Sequence, residues 1–184
     1  MLEWSLLSLL FLILCIIVLF PVHTMVHLLK GRIILAKEHY ALLLQLAEQS
    51  LASSDVPVGA LLLNEGKVIG RGFNTVLRNA KAGEHAEVNA ISDAIAGMGM
   101  EKFSLLDRRS LVLVSTFEPC LMCAGACINY NIRNVYFMKE KDLSYTRKEE
   151  IFFIRYLLQR KQIKNNREQD DLFEKHPDYP VKKK

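Results

Sequence analysis

The chain has 184 residues, 51% of them hydrophobic and 24% charged, with four cysteines and a formal net charge of +4. That length suits one domain with its own core plus one extra segment. Cys15 stands apart, while Cys120, Cys123 and Cys127 fall within eight residues of one another, which excludes a disulfide scaffold and points to metal or catalysis.

No Lys, Arg, Asp or Glu occurs from Trp4 to Leu29. The apolar run is densest over Leu6–Phe20, and extending it to Val26 gives a helix of about 31 Å, near the ~30 Å hydrocarbon core of a bilayer. A cleaved signal peptide is the rival reading, but "MLEWS" has no basic side chain and no small-x-small cleavage site follows. Residues 1–30 are therefore expected to form an uncleaved transmembrane anchor. Glu3 precedes this segment, and Lys30, Arg32 and Lys37 follow it. The positive-inside rule then gives a single-pass protein of the inner membrane with its C-terminal domain in the cytoplasm. His23 and His27, four apart on one face, read as interfacial polar residues, although they could share a metal.

Next comes "ILAKEHYALLLQLAEQSLAS", in which Leu35, Tyr40, Leu43, Leu44, Ala47 and Leu51 recur near the helical period. "VPVGALLLN" reads as a strand, Asn64-Glu65-Gly66 as a turn and "KVIGRGFN" as the hairpin partner. Thr75–Gly83 is polar and irregular, and a helix is predicted from about His85 to Ala96, stopped by Gly97 and Gly99. "SLVLVST" reads as a buried strand, Pro119 opens a helix running to about Tyr130, and "IRNVYFMK" is a further strand. "TRKEEIFFIRYLLQRKQIKNN" reads as a long amphipathic helix. Residues 139–184 hold thirteen Lys/Arg against nine Asp/Glu, a balance that reads as solvated but could touch phosphates. This order predicts an α/β fold, a three-layer α/β/α sandwich around a mixed sheet. The expected domains are the anchor at 1–30, a folded domain at 31–168 and a charged tail at 169–184.

Two motifs carry the chemistry, "GEHAEVNAI" at 83–91 and "TFEPCLMCAG" at 116–125. Cysteines three apart in a first helical turn share a face, with Cβ atoms about 5–6 Å apart. Tetrahedral zinc needs sulfurs about 3.8 Å apart, which Cys120 and Cys123 can supply, with His85 as third ligand. Cys127 points the same way as Cys120 but about 10 Å along the axis, so it reads as a small core residue. Three ligands leave a position for water, whose pKa the metal would pull toward neutrality. Residues two apart on a continuous helix point about 200° apart, so His85 and Glu87 cannot both bind an ion beside the helix. They can converge on a centre off its end, with Glu87 moving protons from the water to a departing amine. A redox CxxC gives His85 and Glu87 no task, and a structural zinc lacks a fourth ligand. H-x-E followed by P-C-x-x-C is the signature known for zinc deaminases.

On these motifs the chain resembles the cytidine-deaminase-like superfamily, and within it bacterial tRNA adenosine deaminases. "EHYALLLQLAEQSLASSDVPVGALLLNEGKVIGRGFN" is similar to that family's first helix and hairpin, and "TFEPCLMCAGACINYNIRNVYF" to its cysteine helix and following strand. The resemblance covers about residues 38–139. It implies one zinc per subunit on His85, Cys120 and Cys123, proton transfer by Glu87, a substrate hydrogen bond from Asn74, and a homodimer. The short segment "MKEKDLSYTRKEE" departs from the family, as does the approach "NAKAGEH"; the family's acidic residue after that strand has no clear match, Asp142 being nearby in different surroundings. Both segments shape the RNA-facing rim in the relatives. The expected activity is hydrolytic deamination of an amino-nucleobase, most like adenosine-to-inosine conversion in tRNA. The alternatives are deamination of free bases or nucleosides such as guanine, cytosine or cytidine, and a non-catalytic membrane-tethered zinc module.

Overall fold

The computed structural model describes residues 35–161, together with residues 8–11, 13, 14, 169, 172, 173 and 175. Helix α1 (Lys37–Leu51) leads into the hairpin β1 (Gly59–Asn64) and β2 (Lys67–Phe73). A one-turn helix α2 (Val76–Asn79) precedes α3 (Ala86–Met98), and a short α4 (Met100–Leu105) precedes β3 (Leu111–Phe117). Helix α5 (Leu121–Asn129), β4 (Asn134–Lys139) and α6 (Leu143–Gln159) complete the order.

The sheet runs β2-β1-β3-β4. β1 pairs antiparallel with both β2 and β3, and β3 pairs parallel with β4. β1 is buried along nearly its whole length, which explains its continuous apolar run: a strand covered on both faces has no reason to alternate. Leu61 and Leu63 join Val114, Leu43 and Leu46 under α1, while Ala60 and Leu62 join Leu111, Leu113 and the alanines of α3. Helices thus cover both faces of the mixed sheet.

Two glycines set how closely α3 lies on the sheet. A Cβ at Gly70 would collide with Ala90 O and Ala94, and one at Gly72 with Ala86 O and Ala90 N. "GRGF" is therefore a track for α3. The buried stripe of α1 is Leu43, Leu46, Ala47 and Ser50, whereas Tyr40, Leu44 and Leu51 are exposed. The observed stripe shares Leu43 and Ala47 with the predicted one but is turned toward Leu46 and Ser50, because several residues near the right period lie beside the contact rather than on it. The polar stretch Thr75–Gly83 holds the one-turn helix α2, and the segment between Gly99 and β3 holds α4. α4 exists because Phe103, 1% exposed, drops into the core and meets Tyr130 edge-on at 6.0 Å. Helix α6 starts three residues earlier than predicted, where Asp142 caps it by accepting from Ser144 N–H at 2.8 Å.

The membrane expectation is corrected. Among the described residues no helix is long and apolar enough to cross a membrane. The transmembrane anchor at 1–30 therefore falls, and with it the single-pass inner-membrane localisation and the membrane contact through that helix. The described helical residues there are only 8–11, 13 and 14. The rest of the segment, with Cys15, His23 and His27, lies outside the described residues. The physical reason is in the sequence: the dense apolar run Leu6–Phe20 numbers 15 residues before Pro21, fewer than the ~20 apolar residues a span requires.

Candidate metal centre

The parallel pair β3 and β4 ends on one edge of the sheet, where Phe117 pairs with Lys139 and Glu118 N–H donates to Lys139 O at 2.9 Å. β2 also ends there, since Phe73 pairs with the first residue of β1. Chain segments leaving the carboxyl ends of strands form ligand crevices in α/β sheets. The segments here are Asn74 after β2, Glu118–Cys120 after β3 and Lys141–Tyr145 after β4.

His85 and Cys120 are the N-cap residues of α3 and α5, each in extended backbone conformation. His85 thus stands outside the regular helix while Glu87 sits in its first turn, which lets both face one centre. His85 Nδ1 lies 3.6 Å from Cys120 Sγ and 3.6 Å from Cys123 Sγ, and the two sulfurs are 3.6 Å apart. The centre of that triangle is about 2.1 Å from each corner, so a point slightly above its plane lies at zinc–nitrogen and zinc–sulfur bond lengths, about 2.1 and 2.3 Å. One nitrogen and two sulfurs so placed are positioned to hold a metal ion. With three protein donors a tetrahedral ion keeps one position for another ligand. The mutual hydrogen bond of the two thiols brings the Cys120 pKa down to about 5 and raises that of Cys123. Cys127 is 3% exposed in the core beneath α5, and burial lifts its thiol to about 11. It takes no part in the triangle.

Glu87 is 4% exposed. Its Oε2 lies 3.3 Å from Cys123 Sγ, and its Oε1 accepts from Ser115 Oγ at 3.5 Å. Burial raises its pKa, against the opposing hydrogen bonds of its own backbone and Cys123. Ser115 follows Leu111 and Leu113 on the α3-facing side of β3, so strand alternation delivers its hydroxyl to Glu87.

Asn74 is 8% exposed, donating to Val56 O at 3.3 Å and accepting from Val76 N–H at 3.4 Å. It lines a cavity of about 570 Å³ together with His85, Glu87, Cys120, Phe117 and Tyr145. Asp142 also lines it, but its side chain is engaged in capping α6. The loop before His85 is clasped at Glu84, whose pKa is held at about 2 by Asn79, Thr75 and Lys81. Asn89, one turn into α3, donates to Phe73 O at 2.8 Å, Thr75 Oγ at 3.0 Å and Glu84 O at 3.2 Å, joining the Asn74 turn to the His85 approach.

The structure therefore brings His85, Cys120, Cys123 and Glu87 together and places Asn74 on the same cavity. Sequence reasoning missed Ser115, Asn89, the ion pair of Lys141 with Glu149, and Asp55, which lines the cavity and accepts from Leu77 N–H and Arg78 N–H. Each acts on a partner distant in sequence, and only Ser115, on the buried face of an alternating strand, left a readable signal.

The family model of the cytidine and deoxycytidylate deaminase zinc-binding region matches residues 35–139. The tRNA-specific adenosine deaminase of Streptococcus pyogenes serotype M18 is 41% identical over 80 residues, 44% of this chain and 47% of that protein. A solved tRNA:A34 deaminase, studied for A-to-I editing at the wobble position, is 31% identical with a TM-score of 0.52. That match covers 58% of this chain and 73% of the other. A guanine deaminase from Bacillus subtilis is 25% identical with a TM-score of 0.58, covering 79% of this chain and 98% of the other. The chain spans about half, or less, of the length of the curated relatives it matches.

Proposed function

The chain belongs to the cytidine and deoxycytidylate deaminase zinc-binding family, and on that premise we propose that it is a zinc-dependent hydrolytic deaminase of an amino-nucleobase. One observation carries this reading: a buried carboxylate that is not a member of the donor triangle stands 3.3 Å from one of its sulfurs. A purely structural metal site has no use for such a group, which argues against a non-catalytic zinc module.

In this reading His85, Cys120 and Cys123 hold the ion. When bound, zinc supplies Lewis acidity that brings the pKa of a water toward neutrality. Glu87 takes a proton from the attacking water, delivers it to the ring nitrogen, and returns a second to the departing amine. Its raised pKa suits both directions of transfer, and Ser115 orients the carboxylate through Oε1. The ring carbon exchanges its amine for oxygen, so water and substrate become a carbonyl product and ammonia. Asn74 offers its amide to the base, and the loop clasp at Glu84 keeps His85 and Asn74 in register. The cavity volume of about 570 Å³ lies within the ~300–1,000 Å³ usual for small-molecule sites and has room for a nucleobase.

Adenosine in tRNA is the leading substrate, supported by the higher identity to the tRNA deaminases. A free base such as guanine is the second reading. It is favoured by the 98% coverage of the guanine deaminase and by Lys141 and Tyr145, which wall the cavity from the start of α6. The catalytic unit is taken as residues 31–168, with 169–184 as a charged tail. The homodimer rests on the resemblance, and sedimentation velocity reads it. The deciding experiment is ammonia release by the zinc-loaded protein from adenine, guanine, cytosine, their nucleosides and tRNA. Release from tRNA, with binding that falls steeply with salt, supports the first reading, and release from free bases alone supports the second. No release from any member contradicts the proposal.

A further inference from the structure

We propose that Lys141 and Glu149 are a positioning pair for Cys120, making the docked start of α6 part of what retains the metal. This rests on the zinc-centre reading above. Lys141 Nζ donates to Pro119 O at 2.9 Å and to Glu149 Oε2 at 2.5 Å, and Glu149 Oε1 accepts from Leu121 N–H at 3.3 Å. Glu118 Oε2 accepts from Lys141 N–H at 2.9 Å. Residues 118, 119 and 121 are thus each bonded to the 141–149 segment, and Cys120 sits between them.

The pair is built into the structure rather than lying on it. The Lys141 and Glu149 side chains are 6% and 16% exposed, and Lys141 Nζ also faces the Tyr145 ring at 5.8 Å. Leu121 N–H is one of the donors at the start of α5 that has no acceptor within its own helix. A carboxylate there satisfies that donor and complements the positive end of the helix dipole. Cys120 has φ −73° and ψ 172°, a departure from helical backbone that turns its sulfur toward His85 and Cys123. Bonds on both sides of it fix that departure.

Helix α6 has few other means of staying in place. None of its residues is buried, and Ile151, Phe153, Ile154 and Leu158 are each about half exposed or more. Contacts at its first two turns therefore carry its docking. Release of the pair would free the backbone around Cys120 and open the cavity wall at Lys141, Asp142 and Tyr145 together. Metal retention and cavity closure are then coupled, and coupling of this kind is reciprocal.

The test is zinc affinity of the full chain, measured by competition with a chromophoric chelator, alongside melting of the zinc-free protein. Glu149→Ala and Lys141→Met should each weaken zinc binding by about 10–100-fold, the range for loss of groups that orient metal ligands. Glu149→Gln keeps an acceptor for Leu121 N–H and should lose less than Glu149→Ala. It also carries the test if Glu149→Ala does not fold. The charge-swapped double variant, Lys141→Glu with Glu149→Lys, restores an ion pair but points an ammonium at Leu121 N–H and a carboxylate at Pro119 O. It should bind zinc as weakly as the single variants. Variants that melt lower without zinc yet bind zinc as the wild type does would overturn the proposal, as would a charge swap that restores affinity. A wild-type chain that takes up no zinc would instead overturn the metal-centre reading itself.

Discussion

Replacing Gly72 with alanine places one methyl group where α3 crosses β2. The new carbon would land on Ala86 O and Ala90 N, and both are backbone atoms that cannot swing aside. Favourable carbon contacts lie at about 3.5–4.0 Å, so α3 must lift by roughly 1 Å. Overpacking of this kind costs about 1–3 kcal/mol. At a few degrees per kcal/mol for a domain of this size, the melting temperature should fall by roughly 4–15 °C. The same lift moves His85 and Glu87 away from the cysteines of α5, and a 1 Å misplacement of reacting groups costs on the order of 100-fold in rate. Gly97→Ala is the control. It adds the same methyl to the same helix, with nothing within 4 Å of it, and should stabilise by about 0.5–1 kcal/mol without changing turnover. Calorimetry and ammonia release at matched zinc loading read both effects. A Gly72→Ala protein with wild-type melting and turnover would refute the argument that this close approach sets the position of α3.

Further outcomes follow from the site. Glu87→Gln keeps the shape of the side chain and should keep zinc while lowering kcat by about 10²–10⁴-fold, the usual contribution of a positioned acid–base; unchanged kcat would remove Glu87 from the mechanism. Asn74→Ala removes one hydrogen bond to the base and should raise KM by about tenfold with a smaller effect on kcat; an unchanged KM would leave Asn74 as a turn residue only. Asp55 is 3% exposed. Burial pushes its carboxyl up, but the Leu77 N–H, the Ser53 hydroxyl, the Arg78 N–H and the Arg78 charge hold it below its ordinary value of 3.8. A lowered folded-state pKa gives stability that is present above the unfolded value and lost as pH falls through the folded one. The melting temperature of the wild type should therefore fall more steeply below about pH 4 than that of Asp55→Asn, and parallel melting curves would contradict this.

The spacing of His85, Glu87, Cys120 and Cys123 made the centre legible in advance, because zinc geometry constrains which residue types can sit three apart at a helix start. The hairpin, the central strands and the helices between them were legible for a similar reason: Leu61–Leu63 and Leu111–Val114 have no other way to leave water. What stayed hidden was pairing across the chain. Nothing around Lys141 announces Glu149, and nothing around Asp55 announces the N–H groups of Leu77 and Arg78, since those bonds exist only once the chain has folded. The apolar N-terminal segment misled in the opposite direction. Composition there matched a bilayer in length, but the described residues hold no helix long and apolar enough to cross one.

X-ray absorption at the zinc edge of the purified protein tests the central claim most directly. The account predicts one zinc per chain with two sulfur neighbours near 2.3 Å and lighter nitrogen or oxygen neighbours near 2.0–2.1 Å. His85→Ala should remove one light neighbour and leave both sulfurs. Absence of zinc, or a shell of three or four sulfurs, would contradict the centre and the chemistry built on it.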